Sequence, residues 1–225
     1  SVDVAQPELM LREPHEALQQ ASVIAIGPGL GQSKQAGELL ERALFLDLPR
    51  IVDADGLNLL AQAPQLLRQG AAPPAPIFAR IASRAPLILT PHPAEAARLL
   101  GCLPGAIQAD RLAAALELAC RFNAYVVLKG CGTIIATPDG HWFINTSGNP
   151  GLASAGTGDV LTGMVAALLA QHWPPLEALL AAVHLHGAAA EACAAEGRGP
   201  VGLAAGELID AARRILNRWI TELGC

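Results

Sequence analysis

The strongest constraint on the fold is a repeated pattern in which a short apolar strand is followed by a polar or glycine-rich turn and then by a helix. Ser22–Ile26 is a β-branched run that stops at Gly27, and Lys34–Leu46 carries apolar residues at helical spacing. The same pattern follows strands predicted at Ile51–Val52, Leu87–Leu89 and Tyr125–Leu128. Continuous apolar strands that alternate with helices pair in parallel and are covered on both faces. We therefore predict an α/β fold with a mostly parallel sheet between two helical layers.

The remaining elements complete one domain. Thr133–Ala136 and His141–Ile144 are predicted to form a hairpin. The last three predicted helices are Val160–Gln171, Leu176–Glu196 and Ala204–Leu223, and the Pro/Ala-rich stretch Ala71–Pro76 is predicted to be a loop. The sequence shows no linker and no internal repeat, so a single domain is expected.

Composition excludes several classes of protein. Apolar residues make up 52% of the 225 residues and charged residues 16%, which suits a chain with a large core and excludes a disordered protein. The net charge is −5 and no Lys/Arg run is present, so binding to nucleic acid or to an anionic membrane is not expected. We also expect no membrane span, because the Ala/Leu-rich segments are broken by His, Glu or Gly. Five cysteines without a C-x-x-C spacing indicate reduced thiols and a cytoplasmic protein.

Polar residues follow the predicted strands at the points where the strands end. These residues are Gly29, Asp53, His92, Lys129 and, beyond the hairpin, Asp159. Ligands of open α/β sheets bind at the carboxyl ends of the strands. We therefore expect these residues, which are distant in sequence, to converge on one edge of the sheet and to form an active site.

The segment Asn145–Gly163 predicts a phosphate cradle. It contains Gly148, Gly151, Gly156 and Gly158 and leads through Asp159 into an apolar helix. Glycine lets the backbone approach a ligand, and the N–H groups of such a loop and of a helix start attract anions. Asp159 at this junction would act as a general base that takes a proton from a substrate hydroxyl. The alternative is that Asp159 is an ordinary helix N-cap.

Other polar residues each allow two interpretations. Lys129 either faces a phosphate or is a surface lysine at the start of a hairpin. Asp53 and Asp55 together either hold Mg²⁺ or have separate structural roles, in which Asp53 orients a loop and Asp55 caps the following helix. His92 is either a ligand contact or a loop histidine.

Two apparent motifs are weak. His184 and His186 are two positions apart and do not share a helix face, so we interpret them as core or supporting histidines and not as zinc ligands. The segment GPGLG lacks the spacing of a complete dinucleotide fingerprint.

Five segments together carry a family resemblance. IAIGPGLG, IVDADGLN, TPHPAEAARLLG, VVLKGCGTIIA and NTSGNPGLASAGTGDVLTG, in this order, closely resemble the NAD(P)H-hydrate dehydratases of the ribokinase-like superfamily. The chain has Ala94 where the family usually has glycine. Nothing in it matches the first strands of the family domain. We therefore expect residues 1–225 to be a single ribokinase-like dehydratase domain, three-layered α/β/α, that is N-terminally incomplete.

The resemblance implies a metabolite-repair lyase. Its substrates would be the hydrates of NADH and NADPH (NADHX and NADPHX), and water would be eliminated with the help of ADP or, less favoured, ATP, with Mg²⁺. Asp159 would be the catalytic base. The substrate site would comprise Gly29, Gly31, His92, Pro93, Glu95 and Asp159. The nucleotide site would comprise Lys129, Gly130, Cys131, Gly132, Thr133, Asn149, Pro150, Gly151, Gly156, Thr157 and Gly158. A homo-oligomer and an epimerase domain in the parent protein are further expectations of the resemblance.

Two other functions fit the same residues. A ribokinase-like kinase of a small vitamin alcohol, such as hydroxyethylthiazole or pyridoxal, would use the same glycine-rich loop and Asp159. A non-catalytic nucleotide-binding module would use the loop alone.

Overall fold

The six strands form one sheet whose spatial order is the order of the sequence. In the computed structural model, which describes residues 6, 9–66 and 85–224, the strands are β1 (Ile24–Ile26), β2 (Arg50–Val52), β3 (Leu87–Leu89), β4 (Tyr125–Leu128), β5 (Ile134–Ala136) and β6 (Trp142–Ile144). Strands β1 to β4 are parallel, and β5 and β6 are antiparallel additions at the far edge. The mostly parallel sheet and the hairpin predicted from the sequence are confirmed.

Helices precede, connect and follow these strands. They are α1 (Pro14–Gln20), α2 (Lys34–Phe45), α3 (Asp55–Leu66), α4 (Pro93–Leu100), α5 (Pro104–Ala109), α6 (Arg111–Phe122), α7 (Thr157–Ala170), α8 (Pro175–Ala195) and α9 (Ala205–Leu223). The loop predicted at residues 71–76 lies outside the described residues.

Side chains that alternate along the strands divide the core between the two faces of the sheet. On one face Val52, Leu89 and Val126 pack with α2 to α6. On the other face Ile51 and Ile88 pack with α7 and α8. Helix α9 covers the outer side of α7 and α8. The arrangement is therefore a three-layer α/β/α sandwich with a helix added outside one layer.

Helix α8 corrects one expectation from the sequence. It has 21 residues and contains an 18-residue window with a mean hydropathy of 1.3, so by length and composition it could cross a membrane. The expectation that His, Glu or Gly break every Ala/Leu-rich segment before it reaches the length of a membrane span was wrong for this helix. Leu179 and Ala182 are buried towards the sheet, and Ala189 and Ala190 are buried in the cluster shared with α9. A core helix enclosed on several sides has the same composition as a membrane span, which explains the error.

A close backbone contact brings the first two strand ends together. Gly27 has a φ of 125°, and a Cβ at this position would lie 1.8 Å from the carbonyl oxygen of Asp53. Only glycine tolerates this conformation and this distance. The GPGLG turn after β1 is thereby packed against the segment Asp53–Asp55 after β2.

Candidate active site

Of the strand-end residues predicted to converge, Asp53 and Lys129 are in direct contact. Lys129 Nζ lies 2.7 Å from Asp53 Oδ1 and 4.0 Å from Glu95 Oε2. A Cβ added at Gly158, in the first turn of α7, would lie 3.3 Å from the same nitrogen. We call this arrangement of Asp53, Glu95, Lys129 and the start of α7 the strand-end site.

Asp53 is the most deeply buried member of the strand-end site, with 1% of its surface exposed. Its Oδ1 accepts hydrogen bonds from Lys129 Nζ and from the Ala54 backbone N–H, and its Oδ2 accepts one from Thr162 Oγ1 at 2.8 Å. Every oxygen of this buried carboxylate therefore has a partner, as burial of a charge requires. Asp55 instead accepts a hydrogen bond from the Gly31 backbone N–H at 2.9 Å and so holds the GPGLG turn.

His92 and Glu95 form a reciprocal cap at the start of α4. His92 Nδ1 accepts hydrogen bonds from the Ala94 and Glu95 backbone N–H groups, and the carboxylate of Glu95 accepts one from the His92 N–H. His92 Nε2 lies 3.3 Å from Glu95 Oε1, so this network assigns the ring proton to Nε2. Pro93 occupies the first helical position, where its missing N–H costs nothing. The ring of His92 remains about half exposed beside the strand-end site.

The segment from Lys129 to Thr133 forms a tight loop after β4. Gly130 and Gly132 have φ values of 147° and 64°, and Thr133 Oγ1 donates a hydrogen bond to the Gly130 carbonyl at 3.0 Å. Arg111 Nη2, from the first residue of α6, lies 3.2 to 3.5 Å from the carbonyl oxygens of Leu128, Lys129 and Gly132. The guanidinium thus gathers carbonyl groups on one side of the loop. Cys131 is an exposed free thiol at the loop tip.

Helix α7 begins without a side-chain cap. Its N-cap is Gly156, which has a φ of 84°. The first helical N–H group that binds the N-cap is that of Val160, which donates to the Gly156 carbonyl. Within the described residues, the N–H groups of Gly158 and Asp159 have no acceptor. Free N–H groups at a helix start, together with the helix dipole, make a site for an anion such as phosphate.

Buried contacts fix this helix start from behind. Thr157 Oγ1 donates hydrogen bonds to the Leu152 and Ser154 carbonyls, and its own carbonyl lies 2.9 Å from His186 Nε2. Burial lowers the pKa of His186, the Thr157 hydrogen bond opposes this shift, and the charge of Lys129 adds to it. His186 is therefore a neutral ring that donates to a carbonyl, and His184 stacks on Trp219. Within the described residues no group of three His, Cys, Asp or Glu side chains could hold a metal ion.

Asp159 is exposed and forms no hydrogen bond with any residue in the described part of the chain. It is the third residue of α7 and not its N-cap, so the capping interpretation is wrong. It lines a pocket of about 420 Å³ whose walls are mostly apolar. The lining residues come from α1, β1, the GPGLG turn, α2 and α7 and include Leu18, Ile26, Pro28, Leu30, Asp159 and Thr162. Gly29 and Gly31 belong to the same turn but are not lining residues.

The segment before α7 is fastened to α8. Asn149 Oδ1 accepts a hydrogen bond from the Gly151 N–H and its Nδ2 donates to the Ala190 carbonyl at 2.7 Å, while Gly148 N–H donates to Glu191. Pro150 begins a short 3₁₀ helix, and Gly151 is buried. These hydrogen bonds hold the loop against α8. The nucleotide contacts predicted for Asn149, Pro150 and Gly151 remain predictions.

Comparison with known proteins decides the family. A family model described as NAD(P)H-hydrate dehydratase matches residues 2–214. The chain belongs to the NAD(P)H-hydrate dehydratase family. It is 43% identical over 216 residues to the ADP-dependent (S)-NAD(P)H-hydrate dehydratase of Neisseria meningitidis serogroup B, covering 94% of this chain and 69% of that protein. The fold and the resemblance expected from the sequence are thereby confirmed.

Two further similarities show how much of its relatives' length this chain covers. The bifunctional NAD(P)H-hydrate repair enzyme Nnr of Escherichia coli is 41% identical over 224 residues, which are 97% of this chain and 40% of that enzyme. A crystal structure of the ADP/ATP-dependent NAD(P)H-hydrate dehydratase of Bacillus subtilis, co-crystallised with ATP and Mg²⁺ and soaked with CoA, superposes with a TM-score of 0.73 at 38% identity. That match covers 88% of this chain and 66% of that one. The chain thus spans two fifths of the bifunctional relative.

Several residues that shape the site in this member of the NAD(P)H-hydrate dehydratase family were not predicted from the sequence. They are Arg111, Thr162 and Glu191, and His186 was assigned only a general supporting role. Each reaches its partner across a large separation, such as 109 positions between Asp53 and Thr162. No local spacing signals such a contact. The one signal that could have suggested such a contact is a polar residue at a helix position that faces the strand ends of the sheet.

Proposed function

We propose that this protein dehydrates NADHX and NADPHX back to NADH and NADPH in a reaction driven by an adenine nucleotide. The observation that carries the proposal is the start of α7. Two free backbone N–H groups, a nearby ammonium and an unpaired carboxylate occur there, within the described residues, next to an apolar pocket. Family membership supports the choice of substrate.

The parts of the site divide between two ligands. The N–H groups of the α7 start, the Lys129–Thr133 loop and the Lys129 ammonium suit the phosphates of a nucleotide. The apolar pocket beside Asp159 suits the hydrated nicotinamide ring, whose face is apolar and whose hydroxyl would reach the carboxylate. His92, Pro93 and Glu95 at the start of α4, with Gly29 and Gly31, would form the substrate side, as the sequence predicts.

The proposed chemistry turns a poor leaving group into a good one. The ring hydroxyl attacks the terminal phosphorus of the nucleotide, Asp159 takes the hydroxyl proton, and the shortened nucleotide leaves. The ring C–O bond then breaks with loss of phosphate, and the adjacent ring carbon loses a proton, which restores the double bond. With ADP the products are NAD(P)H, AMP and inorganic phosphate. Asp159 has to be unprotonated and within hydrogen-bond reach of the hydroxyl for the first step.

A divalent cation would be held mainly by the nucleotide. The oxygens of Asp53 are taken by Lys129, Thr162 and Ala54, and Asp55 is hydrogen-bonded to Gly31, so this pair is poorly suited to ligate Mg²⁺ directly. Mg²⁺ commonly binds through phosphate oxygens and water with few protein ligands. When bound in this way it would neutralise phosphate charge.

The test is recovery of the near-ultraviolet absorbance of reduced nicotinamide. The purified protein is incubated with NADPHX and with ADP, ATP or neither, and AMP, ADP and phosphate are quantified. We expect recovery that depends on nucleotide, is faster with ADP than with ATP, and releases one phosphate per NADPH. No recovery with either nucleotide would refute the proposed function.

The same assay discriminates against the other two functions. A vitamin-alcohol kinase would instead give a stable phosphorylated alcohol with ATP, and a non-catalytic module would bind ADP tightly without turnover. Both are less well supported, because the matched family and the more similar relatives are dehydratases. A cytoplasmic location, a homo-oligomer and an epimerase domain in the parent protein remain part of the proposal. The free thiols of Cys102, Cys120, Cys131 and Cys193 are consistent with the first of these.

A further inference from the structure

Asp53 is a fully partnered, buried carboxylate to which the proposed chemistry gives no task. We propose that Asp53 is a positioning residue that sets the distance between Lys129 and the start of α7, and so between the nucleotide half and the base half of the site. This inference rests on the proposed function. Asp53 is too deeply buried to touch a ligand, so it would act entirely through its two partners.

The bridge joins three elements of the fold. Asp53 follows β2, Lys129 follows β4, and Thr162 lies in α7, one helical turn after Gly158. The Oδ1 atom of Asp53 is 2.7 Å from Lys129 Nζ and its Oδ2 atom is 2.8 Å from Thr162 Oγ1. One rigid carboxylate therefore spans from the ammonium to the helix that carries Asp159.

The bridge leaves Lys129 able to bind phosphate. An ammonium has three donor protons, and Asp53 is its single hydrogen-bond partner within the part of the chain that the structure describes. Glu95, at 4.0 Å, adds charge compensation without a hydrogen bond. The Lys129 side chain is 21% exposed, so its remaining protons can face a ligand while Asp53 restrains its position.

The backbone around Asp53 is held in an unusual conformation that fixes the carboxylate. The next residue, Ala54, has a φ of 48°, in the left-handed region that residues with a Cβ avoid. Its N–H donates to Asp53 Oδ1 at 2.8 Å, and the Asp53 carbonyl accepts a hydrogen bond from Gly56 N–H. Such a conformation persists where the surrounding contacts over-determine it. The carboxylate therefore has little freedom to follow a displaced partner.

A positioning role predicts a loss of rate without a matching loss of binding. The donor phosphate near Lys129 and the hydroxyl near Asp159 have to be aligned, and misplacement by about 1 Å costs on the order of 100-fold in rate. The helix end of the bridge borders the hydrate pocket, because Thr162 is one of its lining residues. Valine has the shape of threonine, so the pocket wall is kept in Thr162→Val and the KM for the hydrate should change little.

The first test cuts the bridge at its helix end. Thr162→Val keeps the side-chain shape and the Asp53–Lys129 pair but removes the hydroxyl. We expect kcat per folded molecule to fall about 10- to 100-fold, with both KM values within about threefold, and Thr162→Ser to restore kcat to within about threefold. Thr137→Val is the matched control, because Thr137 is also buried but lies in the β5–β6 turn. A normal kcat in Thr162→Val, or a serine variant that fails to rescue, would overturn the inference.

The second test uses the coupling between the two ends of the bridge. Asp53→Asn should lower kcat at least as much as Thr162→Val, and the double variant should be no worse than Asp53→Asn alone, because both changes break one unit. Asp210→Asn, at an exposed ion pair on α9, controls for loss of one negative charge. Additive effects in the double variant would contradict a shared positioning role.

A third test does not depend on turnover. The chain has only two lysines, Lys34 and Lys129, and the Lys34 side chain is 89% exposed. Protein labelled with nitrogen-15 at lysine therefore gives one restrained and one freely exchanging ammonium signal. We expect a persistent Lys129 signal that shifts on addition of ADP, is lost in Asp53→Asn and moves in Thr162→Val, whereas the Lys34 signal stays unchanged.

The outcomes separate this inference from the proposed function. A wild-type protein without dehydratase activity refutes the proposed function, and the Lys129 signal then still reports on Asp53. If the Lys129 signal and its response to ADP are the same in wild type and in Asp53→Asn, Asp53 does not position Lys129.

Discussion

At the scale of single residues, Asp159 is distinguished by what it does not contact. A carboxylate near a helix start normally caps that helix. In α7 the N-cap is Gly156, and Asp159 lines the pocket instead. Changing Asp159 to asparagine preserves the shape and removes the base. We expect kcat for NADPHX dehydration to fall at least about 100-fold, the usual worth of a positioned general base.

Binding of nucleotide should survive the same change. The amide of the Asp159→Asn variant would carry no negative charge beside the phosphates, so the Kd for ADP, measured by calorimetry, should stay equal or become tighter. Asp210→Asn serves again as the control for charge. An Asp159→Asn enzyme with near-normal kcat would reject the base assignment.

Arg111 holds the Lys129–Thr133 loop, the proposed nucleotide loop, through its fork of donors. Its guanidinium lies against the carbonyl at the end of β4 and two carbonyls of the loop, and a Cβ at Gly130 would lie 2.3 Å from Arg111 Nη1. A lysine cannot reproduce this planar fork. We expect Arg111→Lys to weaken ADP binding about 10-fold, which corresponds to about 1.4 kcal/mol. Arg121→Lys, an exposed change on the same helix, should leave the Kd for ADP unchanged, and equal Kd values for both variants would contradict the role of Arg111.

Sequence reasoning reached part of the site at this scale. It predicted that Gly29, Asp53, His92, Lys129 and Asp159 converge, because the ends of parallel strands share one edge of a sheet. It did not find that Asp53 pairs with Lys129. That contact depends on the turn at Ala54 and on the path of β4, which are set by tertiary packing and not by the residues near Asp53.

At the scale of elements, the loop before α7 packs so closely on α8 that no side chain fits at Gly187. A Cβ at Gly187 would lie 2.2 Å from Ser147 Oγ and 2.7 Å from the Ser147 carbonyl carbon. The clash involves backbone, so the loop or the helix would have to move. We expect Gly187→Ala to lower the free energy of unfolding by about 1–3 kcal/mol and to weaken ADP binding, because this loop leads into the α7 start.

The matched control for that change is Gly206→Ala in the first turn of α9. A Cβ there meets nothing within 4 Å, so this variant should be neutral or slightly more stable. Urea denaturation of both variants measures the difference. A Gly187→Ala protein as stable as wild type would mean that Ser147 does not pack tightly on α8.

The predicted helices agree with the structure where periodicity is long, and one short helix was missed. Helices α7, α8 and α9 each extend over at least 14 residues, and their predicted bounds differ from the structure by only a few residues. Helix α5, with six residues, was missed because one and a half turns carry no usable periodicity. Such short helices form because packing of a residue such as Ile107 stabilises them.

At the scale of the whole molecule, the layers determine what the site can be. The sheet and the helices α2 to α6 supply the Lys129–Thr133 loop and the α4 cap, whereas α7 to α9 supply Asp159 and the α7 start, the proposed base and the proposed phosphate site. The strand-end site is the contact between these two halves. The sequence predicts both halves separately, but the distance between them depends on long-range contacts such as Asp53–Thr162, which no local pattern encodes.

The stability of the whole molecule should depend on the protonation of one buried ring. Burial lowers the pKa of His186 from 6.5, so the unfolded chain binds a proton at a higher pH than the folded protein does. Between the two pKa values the unfolded state holds more protons, and the free energy of unfolding therefore decreases as the pH falls below about 6.5. The contribution of one such group cannot exceed about 1.4 kcal/mol per pH unit.

Replacing His186 by glutamine tests this directly, because glutamine is able to donate to the Thr157 carbonyl but does not titrate. We expect urea denaturation at about pH 7, 6 and 5, a range that spans the ordinary pKa of histidine, to show a smaller acid-side loss of stability in His186→Gln than in wild type. His172→Asn is the control, since His172 is exposed and its φ of 63° is one that asparagine tolerates. This control should retain the full wild-type dependence on pH. If His186→Gln retains it too, the acid sensitivity originates elsewhere and His186 is not the neutral anchor of the α7 start.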